Sequence, residues 1–270
     1  MRRATAVCYL NLACLVCLWA SPPAARAQQP FYTDDADVTP KGKLHFEFSN
    51  EFDWLQRSSF PNLRQNTASF ELNYGLLERV EVGVEAPLLA IFNAHGTSPR
   101  IAFGIGDTSL AAKYNFREER DGSRVPAMSL DLRLELPTGD SSTQLGSGLV
   151  DVSLNYIAQK SLTERTKLRA NAGIIFAGNE ATGAIGIQTR GLVLTGRASL
   201  VRTFTPRLQL GAEITAASSV GDDIGQELVQ VLVGGNYELR KGLTLDFGLL
   251  GGRRDAAPRA GAQIGISVDF

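Results

Sequence analysis

The chain has 270 residues, 44% of them hydrophobic, with 27 Lys and Arg against 28 Asp and Glu for a formal net charge of -1. That balance supplies no basic field for a polyanion, so nucleic acid is excluded as an expected partner. The length suits one domain, and all three cysteines, Cys8, Cys14 and Cys17, crowd the N-terminal end.

Residues 1 to 27 read as a secretory signal peptide. Arg2 and Arg3 precede an apolar run from Ala4 to Ala20, and SPPAARA then ends at Ala27. Asn11 interrupts the run, and Ser21, Pro22 and Pro23 close it short of the ~20 apolar residues of a spanning helix. Asn11 is also a poor start for a lipobox at Cys14. Cleavage is expected after Ala27. It removes every cysteine, and with them any disulfide, thiolate nucleophile or Cys metal site.

Residues 28 to 41 are expected to be an N-terminal periplasmic segment. The stretch QQPFYTDDADVTPKGK places Asp34, Asp35 and Asp37 beside Phe31 and Tyr32. It reads as a strap tucked into a periplasmic mouth. The alternative, a calcium loop, lacks the twelve-residue ligand order and glycine turn of an EF-hand.

From residue 42 onward the dominant signal is a period of two. Leu44, Phe46, Phe48, Asn50, Phe52 and Trp54 alternate with His45, Glu47, Ser49, Glu51 and Asp53. Phe70, Leu72, Tyr74 and Leu76 alternate with Glu71, Asn73 and Gly75, and Val80, Val82 and Val84 with Glu81, Gly83 and Glu85. Similar segments follow near 105 to 117, 125 to 136, 149 to 160, 167 to 177, 190 to 204, 207 to 217, 228 to 239, 243 to 250 and 260 to 270. Each is a strand with one apolar and one polar face. Their number and length, roughly ten residues each, match strands tilted across a bilayer.

The connections alternate in length. Short polar turns lie at 76 to 79, 161 to 165, 205 to 207 and 240 to 242, with a longer one at 117 to 123. Longer Gly, Ser, Asn and Asp-rich loops lie at 55 to 66, 90 to 104, 137 to 148, 178 to 189, 218 to 226 and 251 to 259. The predicted fold is all-β: a transmembrane up-and-down antiparallel β-barrel of about 12 strands, of outer-membrane type, over residues 42 to 270. A soluble sandwich, propeller or lipocalin-like barrel would carry abundant Lys and Glu on its polar face. Here that face is rich in Gly, Ser, Asn, Thr and Asp, which suits a confined wet interior.

With strand one rising from the periplasm, descending strands end in Tyr74, Tyr114 with Phe116, Tyr156, Phe204, Tyr237 and Phe270. Their parity is that of the apolar positions, so they are expected to form a periplasmic aromatic girdle facing outer-membrane lipid. The opposite parity places Glu47, Glu51, Asp53, Glu71, Glu81, Glu85, Arg133, Glu135, Arg169 and Arg197 in the lumen, with Lys113, Asp131, Asp151, Glu213 and Asp246 among them. These charges either satisfy one another in a closed barrel or form a selectivity constriction.

Several segments resemble the family of outer-membrane transporters named for the meta-pathway of phenol degradation. They are TDDADVTPKGKLHFEF (33 to 48), YGLLERVEVGVEAPL (74 to 88), GIGDTSLAAKYNF (104 to 116), LELPTGD (134 to 140) and GLVDVSLNYIAQKSL (148 to 162), with the terminal VDF. The resemblance implies an outer-membrane barrel that passes small, often hydrophobic or aromatic compounds, with no catalytic residue and no cofactor. The ending GISVDF also looks like the signal read by the barrel-assembly machinery.

Other classes are weaker. A lipid-hydrolase barrel needs a nucleophile, a base and an orienting group, and only His45 and His95 supply an imidazole. His95 has Ser98 nearby, but a turn-forming loop explains NAHGTS without catalysis. No GxSxG elbow, HExxH or Walker loop is present. A closed structural or surface-interaction barrel is the other alternative, although its loops are poor in large aromatic anchors apart from residues such as Trp54, Phe60 and Phe92. The expected function is therefore a passive outer-membrane channel or transporter for small hydrophobic or aromatic solutes.

Overall fold

The structure, a computed structural model, describes residues 29–176, 191–220, 227–254 and 256–270. The leader expected over residues 1 to 27, the loop expected over 178 to 189 and most of that over 218 to 226 lie outside them. Among the described residues there are thirteen strand segments. They are β1 (Leu44–Trp54), β2 (Asn62–Leu77), β3 (Val80–Asn93), β4 (Ile101–Ile105), β5 (Thr108–Arg117), β6 (Ala127–Leu136) and β7 (Asp151–Thr163). β8 (Thr166–Phe176), β9 (Leu192–Thr205), β10 (Leu208–Val220), β11 (Leu228–Arg240), β12 (Leu243–Arg253) and β13 (Ala260–Asp269) complete the set.

Apart from β4 and β5, each strand pairs antiparallel with its neighbours in sequence, and β1 pairs with β13, so the sheet closes on itself. β4 and β5 share one partner: Leu88–Phe92 of β3 faces β4, and Val80–Glu85 faces β5. They are two halves of one strand parted at Gly106 and Asp107, which makes a twelve-stranded barrel. Closure leaves no open edge in the body of the wall, the condition lipid imposes on a sheet.

The faces follow the alternation. Outward residues such as Leu132, Val233 and Ile264 are 50%, 59% and 55% exposed, whereas the inward Asp131, Glu213 and Ser267 are buried. A soluble protein would reverse this arrangement. Loop bounds differ most from expectation in one region, and by about three residues where β7 runs to Thr163, β10 to Val220 and β12 to Arg253. β2 begins at Asn62 rather than after 66, and β3 and β4 form a hairpin through most of 90 to 104. There the inward Leu89, Ile91 and Ala102 pack with Leu145, while Ile101, Phe103 and Ile105 are exposed outward. With both faces apolar, the period of two disappears from the sequence.

The lipid-facing parity is testable by substitution. Leu132→Arg, in mid-strand, is expected to cost about 2–4 kcal/mol in unfolding from lipid vesicles, and Leu162→Arg, beside a short turn, about 0–1 kcal/mol. Equal tolerance of both would contradict the assigned face.

Candidate functional site: a strap inside the lumen

The N-terminal segment does not stay at the barrel mouth. At the short-turn end, Gly42 (φ 76) turns the chain, with Gly42 N–H donating to Gly75 O at 2.8 Å and Gly75 N–H to Lys43 O at 3.1 Å. A Cβ on Gly75 would lie 2.2 Å from Pro40 O, so the crossing is open only to glycine. Beyond it, residues 39 back to 29 thread into the lumen.

This strap forms no strand, so the wall's side chains must satisfy its backbone. Thr39 N–H donates to Glu81 at 2.6 Å, and the Ala36 carbonyl accepts from Ser129 Oγ at 2.6 Å and from the Asn115 amide. Gln159 donates to Asp37 at 3.2 Å. Asp35 lies between Lys113 at 3.7 Å and Arg169 at 3.4 Å, all three buried. Thr33 N–H donates to Glu213 Oε2 at 2.6 Å, Tyr32 N–H to Glu213 Oε1 at 3.2 Å, and the Tyr32 hydroxyl to Glu51. Phe31 packs on Val201, Leu232 and Leu250 in a recess that a Cβ at Gly211 would invade, and a Cβ at Gly234 would meet the neighbouring Pro30.

The named lumen residues fall into three groups. Glu47 meets His45 Nε2 at 2.8 Å, and the other imidazole nitrogen meets Asp269 at 2.6 Å. On the wall, Arg133 bridges to Glu85 at 2.5 Å, Glu71 accepts from Asn73 at 3.0 Å, and Glu135 lines the same cavity. Glu51, Glu81, Arg169 and Arg197 hold the strap, Arg197 through the Tyr32 carbonyl at 3.0 Å. Two of the three arginines thus reach the strap rather than the acidic strands. The sequence reading missed Asp35 and the Tyr32 carbonyl as their partners, since a segment without periodicity gives no sign of which way its groups point. Asp35 and Asp37 are engaged by different wall residues, which does not suit a shared calcium cage.

The strap divides the lumen. Above it lies a cavity of about 260 Å³, below it a basin of about 880 Å³ at the short-turn end, and between them a gap of about 10 Å³ beside Asp34, Glu81, Lys113 and Asp131. In the basin, Lys160 pairs with Glu119. Burial raises the Glu119 carboxyl, but the bonds from Lys160 and Ser161 outweigh it and hold the group below its ordinary range.

Outside, Tyr74, Tyr114, Phe116, Tyr156, Phe204, Tyr237 and Phe270 are all exposed. Phe116 lies 6.5 Å from Tyr114 and 6.3 Å from Tyr156. At the opposite end, Phe52 contacts Trp54 and Phe92, and Arg64 stacks on Phe92. A groove of about 440 Å³ runs along β4, lined by Ile101, Phe103, Ile105 and Leu145. His95 sits in an exposed loop with Arg100 at 3.4 Å, and neither histidine is hydrogen-bonded to a serine among the described residues.

A family model described as "Putative MetA-pathway of phenol degradation" matches residues 28–270. No curated protein matches the chain. Among solved structures, the COG4313 outer membrane channel from Pseudomonas putida F1 is similar with a TM-score of 0.68 at 14% identity, over 91% of this chain and 100% of that one. The NanC porin gives a TM-score of 0.56 at 9% identity over 83% and 98%, and the KdgM porin 0.52 at 10% over 84% and 99%. At these identities the likeness is one of fold.

The strap's anchorage gives a direct test. Asp35→Asn leaves Lys113 and Arg169 without their shared carboxylate, a loss of about 3–5 kcal/mol for a buried pair. A cysteine at Ala36, a position 0% exposed, is expected to resist a bulky maleimide in the parent protein and to label readily with Asp35→Asn. Equal labelling in both would show that this ion pair does not hold the strap.

Proposed function

We propose a passive channel function for this chain, which belongs to the MetA-pathway family of phenol degradation by its match over residues 28–270. The solutes are small hydrophobic or aromatic molecules, crossing the outer membrane of a bacterium down their gradient. In this reading residues 1–27 are the cleaved leader, the aromatic ring from Tyr74 to Phe270 sits at the periplasmic headgroups, and the GISVDF ending serves barrel assembly.

The observation that carries the proposal is the strap. A barrel that is only structural can fill its lumen with wall side chains that pair with one another. In this barrel Arg169, Arg197, Lys113 and Glu213 face a segment joined to the wall's pairing pattern only by the bridge from Lys41 to Gly75. Polar and ionic contacts of this kind exchange with water far more easily than a packed apolar core. Moving the strap joins the two cavities into one path. The groove on β4, where Ile101, Phe103, Ile105 and Leu145 lie beside Thr138, Asp140 and Thr143, gives a hydrophobic solute a place to partition at the outer rim before entry.

Flux through reconstituted protein is the test. Vesicles carrying the parent protein are expected to admit a small aromatic such as benzyl alcohol faster than protein-free vesicles corrected for passive leak, and Asp35→Asn to raise ion conductance above the parent level. No protein-dependent flux, together with unchanged conductance in Asp35→Asn, would return the barrel to the closed structural reading.

A further inference from the structure

The cavity above the strap is lined by eight carboxylates and two arginines. Arg133 is paired with Glu85 at 2.5 Å, whereas Arg197 donates to the Tyr32 carbonyl at 3.0 Å and its buried Nε has no partner among the described residues. On the side of the cavity built by β13, β1 and β2, the register sets Gln263 opposite Glu51, and Gly261 and Gln65 on either side of Asp53. Asp53 is 1% exposed and Gln263 7%. Asp53 Oδ1 and Gln263 Oε1 are buried with no hydrogen-bond donor among the described residues. Gln263 spends its amide N–H on Gln29 at 2.6 Å, and Glu51 accepts the Tyr32 hydroxyl through Oε2.

Acceptor oxygens left without donors in a confined interior are unfavourable, and a carboxylate more so than an amide. Adjacent carboxylates such as Glu51 and Asp53 cannot both ionise unless positive charge lies between them. An ammonium group offers three donors and no acceptor, the complement of this set.

We infer that Glu51, Asp53 and Gln263 form a site for a monovalent cation of ammonium size, at the inner end of the strap. The inference goes beyond the channel proposal and does not rest on it, because the site is defined by its oxygens whether or not solute passes. Two sources share this chemistry. One is a free cation, K⁺ or a primary alkylammonium. The other is the chain's own α-ammonium, which removal of the leader after Ala27 would leave one residue ahead of Gln29. In either case the cation lies next to the Tyr32 anchor, so its occupancy and the seating of the strap are linked.

Calorimetric titration of the folded protein in detergent, with tetramethylammonium chloride as background, separates the sources. A free cation predicts saturable binding of K⁺ or ethylammonium. Asp53→Asn should weaken it by about tenfold or more, and Gln263→Lys, which places a tethered ammonium opposite Glu51, should abolish it. An internal α-ammonium predicts no saturable binding. The N-terminal amine is then shielded from 2-pyridinecarboxaldehyde in the parent protein and reactive in Asp53→Asn. Heat-dependent gel mobility checks folding, and Gln263→Lys adds an attraction rather than removing one, so it keeps the test valid if Asp53→Asn folds poorly. The inference is overturned if no cation binds saturably and the amine is equally reactive, or equally unreactive, in the parent protein and in Asp53→Asn.

Discussion

Everything in this molecule follows from the need to close backbone hydrogen bonds where no water can. A sheet in hydrocarbon must have no open edge, so β1 must meet β13, and the side chains must sort by parity along every strand. Once the apolar parity is committed to lipid, the other parity has nowhere to go but inward. The lumen therefore inherits most of the charge that the strands carry, with exceptions such as Arg64 and Arg202, which lie over aromatic rings. Its chemistry is a by-product of closure before it is an adaptation to any solute.

A narrow charged lumen then has to be made electrically tolerable. The strap does part of this work by placing Asp35 between Lys113 and Arg169 and by offering its backbone to Glu81, Glu213, Ser129 and Arg197. The wall provides the shape as well as the charge. Gly75 admits the crossing at Pro40, Gly211 leaves room for Phe31 and Gly234 for Pro30. Acid remains in surplus around Glu51 and Asp53, and the inferred cation site is the local answer to that surplus.

Much of the wall was legible because a period of two is a purely local signal. In β1, Phe46, Phe48 and Trp54 declare the outer face, and Glu47, Ser49 and Asp53 the inner one, without reference to any other strand. Legibility failed where that signal fails. The β3–β4 hairpin has Leu89 and Ile91 on one face and Phe103 and Ile105 on the other, so its strands looked like loop. The strap failed for a different reason. Asp35 finds Arg169 at a separation of 134 residues, and nothing local distinguishes an aspartate that caps a turn from one that reaches across a barrel. Arg169 and Arg197 were legible as lumen residues, but not as partners of a segment that precedes the first strand.

The Gly42 turn makes the obstruction and the pore parts of a single molecule. A blocker that arrives from solution competes by its concentration, whereas this one is leashed a few residues from its seat. Its return is unimolecular, at an effective concentration of order millimolar for a short flexible tether. The balance between occluded and unoccluded barrel is then the same in a sparse membrane as in a crowded one. A strap that left this seat would do so only through changes at the seat itself, such as loss of the Asp35 contacts with Lys113 and Arg169.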